Sequence, residues 1–410
     1  MNMSRTIDTQ LRNNLLVLFA AGLLFWSSLA SLLPTLPLYI ESVGATKQQI
    51  GIVLGSFAIG LLLFRPLLGR LADRRGRKIV LLIGTLVAAI APLGYLSIKS
   101  IPLLILLRAF HGISIAAFTT GFNALVADIA PVEKRGEIIG NMSLVNPIGV
   151  AIGPALGGYL QAGIGDQILF LITAELAFVA FLGILAIVNP PVAIQQQGDT
   201  KNSQFWQIVS SPRVRTPAII MLIVGLAFGA LHTFIPLFIK STGVNLNPGL
   251  FYTAGAVASF GIRIFTGKAS DRLGRGLFIT LSLVFYTLSM SILWLANSPT
   301  AFLFAAMIEG AASGTLIPMI AAMMVDRAQP YERGQIFAIC LMGMDVGIAI
   351  AAPAFGSVAE YIGYRNMFGL CALLTFLGIL IFLTLSSKDL PSSLRFALGR
   401  GQDAYALKDT

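Results

Sequence analysis

Twelve apolar stretches follow one another along this chain, and they restrict its fold more than any other feature. A helix that crosses a bilayer needs about 20 apolar residues. Stretches of that order lie at roughly 15–39, 49–69, 79–98, 101–127, 137–162 and 167–188, and again at 216–239, 249–267, 277–296, 300–325, 335–360 and 366–386. With 56% hydrophobic and 11% charged residues, the chain has too little charge to coat a water-facing exterior. The spacing therefore predicts an all-α integral membrane protein with twelve transmembrane spans. The polar segment "NPPVAIQQQGDTKNSQFWQIVSSPRVRT" separates the two sets of six. The expected organisation is one six-helix bundle over 1–188, a linker over 189–215, a second bundle over 216–386 and a tail over 387–410. Connectors such as "IKSIP" and "NSPT" barely turn the chain and leave no room for an extramembrane catalytic domain.

The net charge of +10 has two readings, nucleic acid or membrane topology, and placement decides between them. Of the 28 Lys and Arg, 21 fall on the termini and on the loops that share their side. Lys47, Lys99, Lys240 and Arg365 fall on the other side, and Arg65, Arg108 and Arg263 within spans. Positive loops face the cytoplasm. A multi-pass protein of a cell inner membrane with both termini cytoplasmic is expected, and nucleic acid is not a partner. Cys340 and Cys371 lie inside apolar runs and read as packing residues. The first span is too long for a signal-peptide core and reads as a retained helix. "NMS" at 141–143 lies within a span and is a chance glycosylation match.

The two sets of spans repeat each other. "FRPLLGRLADRRGR" at 64–77 aligns with "IRIFTGKASDRLGR" at 262–275, pairing Arg65 with Arg263, Gly69 with Gly267, Asp73 with Asp271 and Gly76 with Gly274. The same offset of 198 pairs Gly112 with Gly310, Asp128 with Asp326, Arg135 with Arg333, Gly136 with Gly334 and Gly149 with Gly347. One register held across four spans marks two six-helix halves of the same orientation.

This arrangement resembles the major facilitator superfamily, whose halves are parallel repeats about an axis along the membrane normal. Gly69, Asp73, Arg74, Gly76, Arg77 and Lys78 match its signature between spans two and three; Gly267, Asp271, Arg272, Gly274 and Arg275 form a second copy that lacks the final basic residue. The resemblance implies that this cluster latches the halves together in the outward-facing state. A glycine at Gly69 suits close approach of two helix ends. Asp73 has two roles open, capping the next helix or pairing with a cation.

Inside the spans, Arg108 opens "RAFHG", similar to the family's span-four motif R-x-x-Q-G with His111 in the Gln position. In the family that arginine is linked to proton coupling. A cation at this depth costs about 2.5–3.5 kcal/mol on insertion scales, so it needs a function that offsets the cost. His111 is either a hydrogen-bonding substitute for Gln or a proton carrier. Gly140, Gly149, Gly153, Pro154, Gly157 and Gly158 form a pattern in span five that resembles the motif of the proton-coupled antiporter branch. Gly149, Gly153 and Gly157 stand four apart and make one stripe for close packing, while Pro154 is expected to bend the helix. A weaker echo, "GIAIAAPAFGS", lies at 347–357. Away from the span ends the acidic groups are Glu175, Glu309 and Asp345; Glu309, the repeat mate of His111, and Asp345 are the candidates to carry a proton. Many drug–proton antiporters of the family carry an acid in span one, and this chain has none there, which leaves the coupling site open. The resemblance also places Trp26, His232 and Phe234 on the substrate cavity.

The expected function is proton-coupled export of a small amphiphilic or lipophilic compound by a monomeric secondary transporter. The alternative is proton-coupled import of a sugar, metabolite or organic anion. There is no nucleotide-binding loop of the form G-x-x-x-x-G-K-[ST], so energy must come from an ion gradient. Two histidines in the whole chain, and no paired acidic motif, argue against an enzyme and against a metal or other cofactor.

Overall fold

A computed structural model describes residues 2–131, 134–187, 211–329 and 333–407. Helix α1 covers Asn2–Ser42, α2 Lys47–Arg75, α3 Arg77–Ser97 and α4 Ile101–Ile129. The fifth span is α5 (Arg135–Met142) and α6 (Val145–Ile164), followed by α7 (Asp166–Ala186). Then come α8 (Pro212–Thr242), α9 (Pro248–Leu273), α10 (Arg275–Leu295) and α11 (Pro299–Asp326). Helix α12 runs over Arg333–Leu385 and holds the last two crossings, divided at Gly363 by a φ of 78° and ψ of 164°. A short α13 covers Leu390–Ala397. The twelve expected crossings are present, and no strand occurs among the described residues.

Three boundaries differ from the expectation, each for a local reason. Span five is not one continuous helix: the Ser143 hydroxyl donates to the Gly140 carbonyl at 2.7 Å, and the chain turns before α6 begins. Ser hydroxyls compete with the helical ladder in this way. Spans eleven and twelve are joined through one glycine rather than a loop. The segment 387–410 is not a plain tail, because Asp389 accepts from the Ser392 amide at 2.8 Å and caps α13, with a proline in its first turn.

Contacts divide the chain into two compact units. Unit 1 is Met1–Ala45, Ile52–Gln197 and Asn247–Thr253. Within it α1 packs on α6 and α7, and α3 on α4 and α7. Its core stacks Phe25 on Phe118 with ring centroids 3.9 Å apart, beside Phe122, Leu18 and Ala180. Unit 2 is Thr46–Gly51, Gly198–Leu246 and Ala254–Thr410. There α8 packs along α12, and α10 lies between α11 and α12 with α13 against its end.

Two glycine pairs carry the repeat into the turns. Gly76 and Gly274 have φ of 98° and 88°, and Gly165 and Gly363 have φ of 84° and 78°. Both pairs are 198 apart, and only glycine adopts these angles without strain.

Candidate functional site

The charged loop at 69–78 is built around Arg77. Its guanidinium pairs with Asp73 one turn back and with Asp128, at 3.2 Å, at the end of α4. Of the two roles open to Asp73, pairing is the one observed: Gly76 caps α3, with no side-chain bond. Arg74 is exposed in the last turn of α2, where a cation complements the helix dipole. Lys78 Nζ donates to the carbonyls of Leu185 and Ile187 at 2.8 and 2.7 Å and so closes the end of α7. Close helix approach at Gly69 is not observed, since a Cβ built there meets nothing within 4 Å.

Unit 2 repeats this cluster and then departs from it. Arg275, the mate of Arg77, pairs with Asp326, the mate of Asp128, at 2.6 Å. Arg272 is exposed; the side chain of Asp271 lies outside the description, as does most of the 189–215 linker. The mate of Lys78 is Gly276, where a Cβ would stand 2.2 Å from the carbonyl oxygen of Phe396 in α13. The basic residue missing from the second copy is thus explained: the folded tail occupies its place. The next charge, Arg327, was not singled out from sequence, yet it is fully buried. It forms a fork to Asp403 (2.6 and 3.0 Å) and donates to the carbonyls of Arg213 and Ser386. The one available signal was that Arg327 breaks the repeat by standing where the first half has Ile129.

Within the membrane, unit 1 gathers Arg108, His111, Tyr95 and Phe57. The Arg108 guanidinium lies 4.2 Å over the Phe57 ring, with Nη1 3.2 Å from His111 Nδ1. The Tyr95 hydroxyl is also 3.2 Å from Nδ1. A guanidinium only donates. His111 Nδ1 must therefore accept, which places the ring proton of a neutral imidazole on Nε2. His111 is 1% exposed. In this geometry it offers an acceptor where the family motif has the Gln carbonyl.

Unit 2 has a carboxyl at the repeat-related position. Glu309 is 5% exposed on α11, with Tyr286 and Ser313 beside it. Its Oε1 makes no well-formed hydrogen bond among the described residues, and the hydroxyls of Tyr286 and Ser313 are the polar groups that act on the carboxyl. Next to it, Gly310 brings α11 against the Gly255 carbonyl, which a Cβ would meet at 2.0 Å. Asp345 is half-buried on α12; Glu175, Arg65 and Arg263 are exposed. The positions of Arg65 and Arg263 suit snorkelling to the membrane boundary.

The span-five stripe packs directly on α1. A Cβ at Gly149 would meet Trp26 Cβ at 2.5 Å, one at Gly153 the Ser27 carbonyl at 2.7 Å, and one at Gly157 the Ser31 carbonyl at 2.2 Å. Gly140 faces open space, and α6 continues through Pro154. Gly158 abuts Asn247 of the same unit, and Thr253 donates to Ala151 at 2.7 Å. The echo in α12 works the same way: Gly347 lies against the Leu222 carbonyl of α8. Ala351, which replaces the glycine, meets Gly229 on the partner helix, so the small residue has changed sides. Trp26 and His232 are half-buried, the His232 ring tilted against Phe228 with centroids 3.9 Å apart. Phe234 is fully buried in the packing of unit 2, near Tyr364. Cys340 and Cys371 are buried thiols.

Two repeated six-helix halves, ion-paired loops at matching positions and charged groups within the spans are the build of a membrane transporter. The sequence profile of the Major Facilitator Superfamily matches residues 18–285 and 249–404. The chain belongs to this superfamily; it is a multi-pass membrane transporter and not an enzyme. It is 27% identical over 378 residues to the "Multidrug resistance protein MdtG" of Enterobacter lignolyticus (strain SCF1), covering 87% of this chain and 88% of that one. The protein of the same name from Klebsiella pneumoniae (strain 342) is 26% identical, over 90% and 92%. Among solved structures, a point-mutant form of the nucleoside transporter NupG superimposes with a TM-score of 0.80 at 16% identity, over 90% of this chain and 100% of that one. A bacterial homologue of the lysosomal transporter Spinster, inward-facing and unoccupied, gives 0.76 at 14% identity, over 96% and 99%. At these identities the two structures bear on the fold alone.

Proposed function

We propose that the chain exports small amphiphilic or lipophilic compounds against their gradient, driven by protons entering the cell. A single chain is the transport unit, in a bacterial inner membrane with both termini cytoplasmic. The halves 1–188 and 216–386 move as bodies about the linker 189–215, alternately opening a central cavity to each side.

Glu309 carries the proton-coupling part of this reading. A carboxylate buried at this depth with no cation beside it is costly, whereas a carboxylic acid is tolerated. Glu309 is buried, and among the described residues no arginine or lysine forms an ion pair with it. It suits a cycle in which the proton is loaded in one state and released when the site opens to water. Asp345 is the second candidate. Arg108, held by His111 and Phe57, supplies the fixed positive charge of the other half. Outward direction is supported by the span-five pattern and by the relatives named for multidrug resistance.

The latch belongs to the same reading. Gly69, Asp73, Arg74, Gly76 and Arg77, with Asp271, Arg272 and Gly274, are the residues proposed to latch the outward-facing state, and the free space at Gly69 leaves room for that rearrangement.

Energised inverted vesicles provide the test. Fluorescent lipophilic compounds are expected to accumulate inside inverted vesicles when the lumen is acid, and the build-up should collapse when the pH gradient is dissipated. Accumulation in right-side-out vesicles instead would favour the importer; accumulation indifferent to the pH gradient would remove proton coupling.

A further inference from the structure

We propose that the arginine-rich end of unit 2 binds the phosphate of an acidic phospholipid in the cavity between the ends of α9–α11 and the folded tail. The site lies wholly within unit 2 and does not depend on the direction of transport.

The cavity measures about 1000 Å³. Arg272, Gly274 and Arg275 form one wall, and Gly399, Arg400 and Gln402 of the tail form the other. Its acids are already spent: Asp326 pairs with Arg275 at 2.6 Å, and Asp403 is held by Arg327. Among the described residues no acidic group pairs with Arg272 or Arg400, so two exposed guanidinium groups that line the cavity remain in excess. Two such groups with planar donor forks match a phosphate. The fork from Arg327 to Asp403 helps to hold the tail wall in place.

The depth of the tail selects a lipid over a soluble anion. Thr280, in the second turn of α10, donates to the Ala397 carbonyl at 2.8 Å, and the Phe396 ring lies 6.1 Å from Phe382 near the end of α12. Both anchors are in spanning helices, so α13 lies at the boundary between acyl chains and water. Its Leu390 and Leu394, with Leu398 just past its end, stand four apart and are exposed, while Ser393, Phe396 and Ala397 are buried. Leu273 and Leu407, both exposed, stand at the cavity itself. Excess guanidinium and exposed leucines lining one cavity at interfacial depth are complementary to a diester phosphate with acyl chains attached. Inorganic phosphate or a nucleotide would use the arginines and leave Leu273 and Leu407 at the cavity uncovered.

The test uses the purified, delipidated full-length chain and two probes with identical acyl chains, phosphatidylglycerol and phosphatidylcholine, with lipid retention measured by native mass spectrometry. Phosphatidylglycerol is expected to bind at least tenfold tighter. Arg272→Ser with Arg400→Ser should abolish that preference, and Arg272→Lys with Arg400→Lys should retain most of it. Equal binding of the two lipids by the wild-type chain, or an intact preference in the serine pair, would overturn the site. Competition on the wild-type chain gives a second readout that needs no variant. Millimolar phosphate or ATP should leave phosphatidylglycerol bound; full displacement by either would assign the cavity to a soluble anion and refute the lipid.

Discussion

Replacing Gly157 by alanine tests the packing on which the span-five pattern rests. The added Cβ would sit 2.2 Å from the Ser31 carbonyl oxygen and 2.8 Å from that residue's C and Cα, where ordinary contact begins near 3.4 Å. Every atom in the way is backbone, so no side chain can rotate aside. Helices α1 and α6 must part by about 1 Å. Overpacking of this kind costs roughly 3 kcal/mol when the obstacle is rigid. Alanine returns about 1 kcal/mol through its better helix propensity. The net loss is about 2 kcal/mol, a roughly thirtyfold shift in the unfolding equilibrium. Gly140→Ala is the control, because a Cβ there meets nothing within 4 Å, and no loss is expected. Unfolding in mixed micelles by SDS titration, followed by tryptophan fluorescence, measures both. A Gly157→Ala chain as stable as wild type, or a Gly140→Ala chain that loses as much, would refute the packing argument.

Gly76→Ala places a side chain at φ 98° and ψ 156°, so about 1–3 kcal/mol of strain is expected in the same titration, against no steric loss for Gly69→Ala; equal effects would mean that the turn geometry is not what selects the glycine. His111→Gln preserves an acceptor for the Arg108 guanidinium and should keep transport within a fewfold of wild type, whereas His111→Leu strands the guanidinium and should lose tenfold or more. Loss of gradient-driven transport in His111→Gln would instead make His111 a proton carrier.

The register of the repeat was legible because charge is scarce here: Asp73 with Asp271 and Arg77 with Arg275 stand out against apolar surroundings. The same offset also links Gly165 with Gly363, the turns before the sixth and twelfth crossings, but an isolated glycine gives no signal until its φ is known. The glycine stripe was legible from spacing, although its partner, α1, was not. The fork from Arg327 to Asp403 was not legible, since its halves are 76 residues apart and Asp403 lies in a polar tail with no periodicity of its own. The turn before α6 depends on one hydroxyl–carbonyl bond at Ser143, which an apolar count passes over. Gly69 is the opposite case, where spacing suggested close contact and the structure has free space. The motif residues were found on the side where charges stand alone, and missed where the tail folds back.

The central claim is that a buried carboxyl converts a proton gradient into solute movement, and Glu309→Gln tests it most directly. Glutamine keeps the size of the side chain at this 5%-exposed position and removes the titrating proton. In proteoliposomes loaded with a transported compound, the variant should still exchange labelled for unlabelled compound at a rate near wild type. It should fail to concentrate that compound under an imposed pH gradient. Uphill accumulation equal to wild type in Glu309→Gln would contradict the account.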